Sequence, residues 1–498
     1  MTAKTQVENT SAPDASSAPT KSSGILGYFK VKERGSTVAR ELRGGLVTFV
    51  AMVYILVLNP IILSGPDSTG MYLGGGTEPN MPAIAAGTAL VAGVMTILMG
   101  AVANFPMAMA AGLGLNTLVG AVIVQIPGMT WADGMGIIVL EGIVITLLVL
   151  TGLREAIFRA VPKFLRTAIS VGLGLFITLV GLTNAGIVSG NAEGGTILNF
   201  GINGSVSSWP FLVFVIGLLV TFVCIARKVS GALLIGIVTS TVLAVIVEQV
   251  ARPGLRADGV VTGWSGSAPV LSGSPIQIPD FATLGEFSIV GPFQKIGVIA
   301  VVVLTFSVML ADFFDTMGTM VAVGREGNLL DEEGQPEGTS RVLLIDSLSA
   351  LAGGMGGVSS NTSFVESTTG VADGARTGLA SITTGVLFLL SMFFAPLVTL
   401  VPSEAAAPSL VAVGLLMLDG VIEINWEDRL EAVPAFMTIV FMPFAYSVTV
   451  GIGVGFIFYV LMAVFMGKAR QIKPLMWVSA VLFVIYFLLD PLQRLLGI

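Results

Sequence analysis

Three acidic residues and one amide in the apolar part of this 498-residue chain are of types that could bind a ligand or hold a proton. Asp312 and Asp315 occur in "MLADFFDTMGTM", where a spacing of three places both carboxylates on one face of a helix. Glu366 follows the polar run "SSNTSFV", and Asn116 lies in "AAGLGLNTL". A charged side chain at the centre of a membrane helix costs about 2.5 to 3.5 kcal/mol. This cost predicts that the carboxylates are kept for ligand binding or proton transfer.

Each of these four residues also has a structural interpretation. Asp312 could hydrogen-bond a neighbouring backbone group, and Asp315 could brace a packed helix interface. Glu366 has the capping-box spacing from Ser363, although the first turn of a half-helix, where it would lie, also favours an anion. A lone Asn in a membrane helix often connects two helices. The glycines beside Asn116 allow close approach of the backbone to a ligand and favour a binding role.

Other acidic residues in apolar segments are weaker candidates for a functional site. Glu141 lies inside a predicted span without a polar companion in the sequence, which favours a role in helix packing. Asp346 and Asp419 lie near predicted helix ends, where a capping role is expected. Asp373 lies close to Arg376 and is expected to cap a helix or to form a salt bridge.

The composition is that of an integral membrane protein. Hydrophobic residues make up 54% of the chain and charged residues 11%, compared with roughly 25% charged residues in a soluble domain. The mean hydropathy is +0.92, so the lipid bilayer is the expected environment. The formal net charge of −7 and the absence of a basic stripe argue against a nucleic-acid partner.

The chain contains no histidine and a single cysteine, Cys224. This composition excludes Ser-His-Asp triads, histidine-bearing metal sites and an internal disulfide. Proton chemistry must therefore use carboxylates or the substrate itself, because histidine is the usual side chain that titrates near neutral pH. The sequence offers neither a nucleophile paired with a base nor a metal cluster, so it predicts neither an enzyme nor a cofactor.

Apolar stretches of about 20 residues, the length that crosses a bilayer, recur along nearly the whole chain. The predicted spans begin near residues 43, 83, 131, 166, 209, 230, 297, 340, 376 and 432, with others near 451 and 475.

Lys and Arg residues predict how these spans are oriented. They concentrate before the first span and at 154–166, 226–228 and 468–473, whereas the intervening loops at 65–82, 127–131 and 187–207 contain none. By the positive-inside rule this alternation places the N-terminus in the cytoplasm, provided that 106–126 is a membrane segment. The loop at 252–295 is the exception. Residues 1–37, rich at their start in Ser, Thr, Ala and Pro, are predicted to form a disordered cytoplasmic tail.

Two predicted membrane segments, at 104–124 and 358–374, are interrupted by Gly, Pro or hydroxyl residues. The stretches around them are alike, so the chain resembles two copies of one unit, at about 43–251 and about 296–467, separated by a loop at about 252–295. If each copy contributes seven spans, an odd number, the second copy is inverted in the membrane. An inverted repeat with one interrupted segment in each half is typical of a secondary transporter with a midplane site.

Several motifs resemble, in the same order, those of the AzgA-like purine permeases of the nucleobase–cation symporter and nucleobase–ascorbate transporter family: "GLGLNT", "DFFDTMGT", "NTSFVEST" and "EAVPAFMTIVFMPFAYSVTVGIGVGF". The resemblance extends from about residue 38 to 467. It implies an all-α polytopic membrane protein with about 14 transmembrane segments, as two inverted repeats of seven forming a core and a gate domain. Segments 3 and 10 would each contain a short strand and a half-helix. The implied substrates are adenine, guanine and hypoxanthine, taken up with protons, and a homodimer is compatible with the family.

The resemblance assigns ligand contacts to Asn116, Asp312 and Glu366, with Asp315 in support. A carboxylate at Glu366 or Asp312 can accept two parallel, charge-assisted hydrogen bonds from the donor edge of guanine. Asn116 offers both a donor and an acceptor to the remaining edge. The expected proton carriers are Asp312, which is the first candidate, Glu366 and Asp315. The roles of Asp312 and Glu366 could also be exchanged.

Three further residues are expected to border the faces of the purine ring: Gly112, Gly114 and Phe364. Two other functions stay open. One is a permease of the same fold for uracil, xanthine or an anion, although an anion carrier would be expected to have a neutral or basic residue in place of Glu366. The other is a passive channel, or a sensor that binds purines without transporting them.

The C-terminal stretch 474–496 is apolar enough to span the membrane, although 14 segments are already counted by residue 467. Either an earlier short segment such as 405–421 does not cross, or this stretch lies on the surface or crosses as an extra helix.

Overall fold

The computed structural model describes residues 25–121, 123–152, 161–190, 198–201, 206–229, 231–256, 262–265, 268–270, 274–330 and 336–488. These residues form a largely helical protein, as predicted. Ten helical stretches among them are long and apolar enough to cross a membrane, which supports a multi-pass membrane protein. The predicted starts near 83, 131 and 209 lie within two residues of the observed helix starts at Met81, Trp131 and Trp209.

The first half of the chain contains α1 to α9 and β1 to β3. In order these elements are α1 (Ile25–Tyr28), α2 (Val38–Met52), α3 (Ile55–Leu63), α4 (Met81–Leu98), β1 (Met109–Ala111), α5 (Leu113–Ala121), α6 (Trp131–Leu150), α7 (Lys163–Asn184), β2 (Val188–Gly190), β3 (Leu198–Phe200), α8 (Trp209–Ala226) and α9 (Ala232–Ala251). Side-chain caps begin several of the helices: Thr37 caps α2, Asn80 caps α4, and Thr130 forms a capping box with Asp133 at α6.

The second half contains α10 to α17 and β4. In order these are α10 (Gly291–Glu326), α11 (Thr339–Met355), β4 (Asn361–Ser363), α12 (Ser367–Ala372), α13 (Gly378–Ser391), α14 (Ser403–Leu418), α15 (Arg429–Phe444), α16 (Val448–Phe465) and α17 (Pro474–Phe487). Helix α10 is kinked at Gly297, whose φ of 78° only glycine adopts readily. Helices α13 and α14 continue as 3₁₀ turns over Met392–Leu400 and Asp419–Glu423.

The helices pack mainly as two groups. One group, called the first bundle here, consists of α2 to α6 and α10 to α13, together with the strands β1 and β4. The second bundle consists of α7 to α9 and α14 to α17. Each bundle combines helices from both halves of the chain, so the two halves interlock. The space between the bundles contains the largest cavity described below.

The two interrupted segments meet as a two-stranded antiparallel sheet. Strand β1 pairs with β4, with Met109 opposite Ser363, Ala110 opposite Thr362 and Ala111 opposite Asn361. Extended backbone at membrane depth is tolerated only where its polar groups find partners, and each strand provides them for the other. Helix α5 follows β1 and the six-residue α12 follows β4. The predicted strand followed by a short helix is therefore present in both segments.

Part of the predicted disordered tail is folded against the first bundle, while residues 1–24 lie outside the described residues. The Arg34 guanidinium donates to the backbone oxygens of Asn104 at 2.8 Å and Arg376 at 3.0 Å. Phe29 and Val31 are buried. Buried apolar side chains and backbone hydrogen bonds offset the ordering entropy of this segment, which the polar start of the tail does not reveal.

Glycines allow the helices of the first bundle to approach closely. A Cβ atom at Gly378 of α13 would lie 2.1 Å from the carbonyl oxygen of Gly100, in the π-helical turn that follows α4. A Cβ atom at Gly385 would likewise lie 2.6 Å from the oxygen of Gly93. Small residues at such crossings are the usual device of membrane helix packing.

Substitution of Gly378 by Ala is expected to lower the melting temperature of the purified protein measurably. The added methyl group has no space beside Gly100 O, and overpacking of this kind costs about 1 to 3 kcal/mol. A thermal melt in detergent would measure the effect. Gly190→Ala is the matched control, because nothing lies within 4 Å of its added Cβ. Equal melting temperatures for the two variants would contradict the tight crossing.

The C-terminal stretch begins with α17, which packs on α16 through Phe483 and Phe456, whose ring centroids are 5.9 Å apart. Over its 14 residues α17 extends about 21 Å, less than the roughly 30 Å hydrocarbon core. Residues 489–498 lie outside the described part of the chain. The earlier segment in question, at 405–421, lies within Ser403–Glu423, which is long and apolar enough to cross.

Candidate functional site

A cavity of about 640 Å³ lies between the two bundles and is called the central cavity here. The first bundle lines it with residues of α2–α3, the β1–α5 junction, α10 and the β4–α12 junction, and the second bundle lines it with α7 and α14. Along α10 the lining extends from Asp315 to Arg325, which is about 15 Å at the rise of an α-helix. Its volume lies within the usual range of small-molecule sites.

Glu366 lines this cavity, and it lies at the start of α12, the position that the polar run before it predicts. Its carboxylate oxygen Oε1 accepts a hydrogen bond of 2.5 Å from the hydroxyl of Tyr54, which lies between α2 and α3. Tyr54 is 1% exposed, so its ring is held by packing and its hydroxyl has a defined position. The contact fixes one oxygen of Glu366, and the part of the side chain that stays accessible faces the cavity.

Four other predicted residues also line the central cavity. Asp315 is exposed, and the surface that it faces is the cavity. Gly112 and Gly114 lie at the start of α5, and Phe364 follows β4 directly. These glycines and this aromatic ring come from the two interrupted segments. They meet at one place because β1 pairs with β4. The structure thus brings together five of the seven predicted site residues.

Asn116 does not line the cavity. Its side chain is fully buried, and its amide donates to Asn59 Oδ1 at 2.7 Å. Asn59 in turn donates to Thr88 Oγ1 at 2.8 Å and to the backbone oxygen of Val358 at 3.2 Å. The chain of bonds ties α5 to α3, α4 and the segment before β4, which is the interhelical role considered above. A substrate contact by Asn116 stays a prediction.

Asp312 lies behind the cavity wall rather than on it. It is fully buried and faces α6 and α11, whereas Asp315 faces the cavity. Three residues advance a helix by about 300°, so two residues at this spacing differ in direction by about 60°. The spacing was expected to place both carboxylates in one site. The packing of α10 instead divides them between the cavity and the interior of the first bundle.

Two expectations for the other acids need correction. Asp346 is not at a helix end but in the middle of α11, where Oδ1 accepts from Thr316 at 2.8 Å and from Ser363 at 2.9 Å. Glu141 lacks a polar companion only in sequence, because the fold places it beside Asp312. The predicted salt bridge of Asp373 forms, although its partner is Arg43 at 2.5 Å.

The end of the cavity away from Glu366 is basic. Lys163 and Arg166 at the start of α7 and Arg325 near the end of α10 line it, together with Glu423. Lys163 Nζ lies 2.9 Å from Glu423 Oε2. The cavity therefore has an acidic part, at Glu366 and Asp315, and a basic part.

Tyr54 and Asn59 were missed by reasoning from the sequence. Both are polar residues inside an apolar span, "VYILVLNPIIL", which is the signal that drew attention to the acids. A tyrosine is common in membrane spans and carries no charge, so only its contact with Glu366 singles it out.

Substitution of Tyr54 by Phe is expected to weaken ligand binding by about tenfold. The change removes the hydroxyl that positions Glu366, and a hydrogen bond to a charged group contributes about 1.5 to 3 kcal/mol, of which a freed carboxylate recovers part from water. Equilibrium binding of labelled guanine, one of the ligands that the motif resemblance implies, to purified protein would give the Kd. Tyr72→Phe, in the loop between α3 and α4, is the control, and equal Kd values for the two variants would show that Tyr54 does not position Glu366.

Comparison with known proteins agrees with these features. The profile of the Permease family matches residues 39–454. The guanine/hypoxanthine permease PbuG of Bacillus subtilis is 37% identical over 467 residues, with 93% of this chain and 99% of PbuG covered. The adenine permease AdeP of Escherichia coli is 36% identical, with 92% of this chain and 94% of AdeP covered.

Among solved structures, the transmembrane domain of the cyanobacterial bicarbonate transporter BicA is similar, with a TM-score of 0.58. The alignment covers 83% of this chain and 97% of that domain at 13% identity, so it shows the fold alone. The resemblance to purine permeases seen in the motifs is confirmed by the sequence relatives. The chain therefore belongs to the Permease family, and it is a membrane transport protein rather than an enzyme.

Proposed function

We propose that this protein carries purine nucleobases across the cell membrane, with protons as the coupling ion. The observation that carries the proposal is the position of Glu366, a carboxylate held by Tyr54 at the wall of a cavity between two bundles. The names of the relatives support purine bases as the substrate class. Adenine, guanine and hypoxanthine are the proposed substrates.

The base is proposed to lie against the β1–α5 and β4–α12 junctions. Glu366 would accept two parallel hydrogen bonds from a donor edge, as on guanine N1–H and its amino group. Gly112 and Gly114 would border one face of the flat ring with their backbone, and Phe364 can cover part of its boundary. Asp315 faces the same part of the cavity. An anionic substrate would meet repulsion from two carboxylates here, so the acidic part of the cavity favours a neutral base.

Transport is proposed to occur by alternating access, with the second bundle as gate moving against the first as core. A smaller cavity of about 370 Å³, lined by Asn184 and Tyr446 among others, lies at the opposite end of α7 from Lys163. The two cavities at opposite ends of one helix support a pathway along α7 that could open to either side in turn. The basic end of the central cavity would face the cytoplasm, with the N-terminus on the same side.

The proposed membrane layout has 14 segments in two inverted repeats. The ten long apolar stretches account for ten of them. The remaining four would be the two interrupted segments, β1–α5 and β4–α12, and the shorter helices α11 and α15. Helix α17 would then be additional. The proposed domain division is a tail, two repeats and this C-terminal segment.

Proton coupling is assigned to carboxylates of α10 and α12. Asp312 is the first candidate for the carrier, with Glu366 recognising the base; Asp315 supports either role. Exchange of the two roles is the alternative, and the two variants discussed below separate these assignments. A homodimer is a further prediction, which the mass of the purified protein in detergent would test.

Counterflow in proteoliposomes tests the function. Vesicles preloaded with unlabelled adenine should accumulate labelled adenine transiently, and an inward proton gradient should drive net accumulation. A channel would give neither, and a sensor would bind adenine without flux. Competition by guanine, hypoxanthine, uracil, xanthine and bicarbonate defines the substrate class. Inhibition by uracil or bicarbonate but by none of the three purines would refute the proposal.

A further inference from the structure

Glu141 of α6 enters the interior of the first bundle and is not used by the function proposed so far. Its side chain is fully buried, as are Asp312 of α10 and Asp346 of α11. The Glu141 carboxyl faces the Asp312 carboxyl and lies close to Asp346. Three helices thus bring their acids to one place behind the wall of the central cavity.

The surroundings of Glu141 lack a donor for one of its oxygens. Oε1 has a long contact of 3.5 Å from the Ser360 hydroxyl, and Oε2 has no hydrogen-bond donor among the described residues. The carboxyl group that it faces, Asp312, offers only acceptors when ionised. A proton on one of the two groups turns this contact into a hydrogen bond. The unsatisfied, fully buried Oε2 therefore points to a proton as the missing ligand.

Glu141 forms no salt bridge within the part of the chain that the structure describes. The nearest ion pair on the same two helices joins Lys295 and Asp133, and eight residues, or about 12 Å of helix, separate Asp133 from Glu141. The described residues also contain no group of acids arranged to hold a metal ion. Burying two ionised carboxylates side by side is unfavourable, so one shared proton is the expected occupant.

Glu404 of the second bundle shows the contrasting arrangement. It is also fully buried, but one oxygen accepts from Ser265 N–H at 2.8 Å and Ser265 Oγ at 2.6 Å, with Arg256 Nη2 at 3.7 Å. Glu404 Oε2 has no donor among the described residues, as is true of Glu141 Oε2. The two buried glutamates differ in their other oxygen and in charge, because Glu404 Oε1 has two short donors and a nearby guanidinium, whereas Glu141 Oε1 has one long contact and Glu141 faces another carboxyl group.

Hydroxyl groups connect the acidic pair to the central cavity. Ser363, which lines the cavity, donates to Asp346, and Thr316 donates to the same oxygen. Thr316 is the residue after Asp315, whose carboxylate faces the cavity. A change in the protonation of the pair can therefore alter the hydrogen bonds of Ser363 and Thr316 to Asp346, and through them the substrate site.

We propose that Glu141 and Asp312 together hold the proton that is coupled to substrate movement, with Asp346 linking the pair to the cavity. The inference deepens the proposed function and rests on it. Glu141 acts through Asp312 and does not touch the substrate. It is a coupling residue, and its removal should change the dependence on the proton gradient more than it changes binding of the base.

Glu141→Gln provides the test, because the amide keeps the size and can donate to Asp312 without carrying a titratable proton. In proteoliposomes, the variant is expected to lose accumulation driven by a pH gradient while counterflow of adenine falls by less than tenfold. In weakly buffered detergent solution, adenine binding by the wild type should change the pH through proton uptake, whereas adenine binding by the variant should not. Glu404→Gln is the matched control and should keep both gradient-driven accumulation and proton uptake.

If Glu141→Gln shows gradient-driven accumulation at the wild-type level, the role of Glu141 is overturned but the proposed function is not. Absence of counterflow or of gradient dependence in the wild type would overturn the proposed function as well. If Glu141→Gln is not recovered folded, Glu141→Asp replaces it. That variant keeps a carboxyl group on a side chain that is shorter by one methylene, so the pH profile of its uptake should shift. An unshifted profile would contradict a role of Glu141 in holding the proton.

Discussion

Glu366→Gln is expected to abolish measurable purine uptake and to weaken purine binding by about 10- to 100-fold. The substitution replaces one acceptor oxygen by a donor, so two parallel bonds to the donor edge of guanine can no longer form. Hydrogen bonds to a charged group contribute about 1.5 to 3 kcal/mol, and about 1.4 kcal/mol corresponds to a factor of ten. Binding of labelled guanine to the purified variant would measure the loss.

A matched substitution separates this effect from a general loss of charge. Glu78 lies exposed in the turn region before α4, and Glu78→Gln is expected to bind and transport as the wild type does. Surface localisation and the melting temperature confirm that Glu366→Gln is folded. Wild-type affinity in that folded variant would remove Glu366 from the binding site.

Asp312→Asn is expected to abolish accumulation driven by a proton gradient while leaving the Kd for purine within about threefold. The side chain is fully buried behind the cavity wall, so it does not contact a ligand in this arrangement. Its amide would donate to Glu141 and replace the shared proton by a permanent hydrogen bond. Uptake with and without a pH gradient, together with equilibrium binding, would separate the two effects.

Asp419→Asn serves as the control, because Asp419 is exposed at the end of α14. If Asp312→Asn loses binding as severely as Glu366→Gln, the roles of the two acids are not divided as proposed. If Glu366→Gln keeps its affinity but loses coupling, the roles are exchanged. The pair of variants thus decides which carboxylate recognises the base.

The sequence alone predicts much about this protein, because the signals are local. Apolar runs set the helices, the Gly- and hydroxyl-rich interruptions mark the two strands, and rare acids such as Glu366 stand out against their surroundings. The motif resemblance identifies the family from the same residues. These features depend on a short window of sequence and on the cost of polar groups in a bilayer, so no tertiary contact is needed to find them.

The division of the acids between binding and burial depends on the tertiary structure. Residues 312 and 315 differ in direction by about 60° on α10. Only the packing of α10 against α6 decides that Asp312 is buried in the first bundle while Asp315 faces the cavity. Glu141 is alone in its own span and gains its partner from a helix more than 150 residues away. Asn116 likewise receives Asn59 from a separate span.

What the sequence by itself determined is the class of protein, most of its helices, its two interrupted segments and the presence of acids within apolar spans. What only the tertiary structure decided is which of them face the central cavity, which are buried beside another acid, and that Tyr54 donates a hydrogen bond to Glu366. The physical reason is that hydropathy and turn chemistry act over a few neighbouring residues. Hydrogen bonds and cavities instead form between side chains that folding brings together from distant parts of the chain.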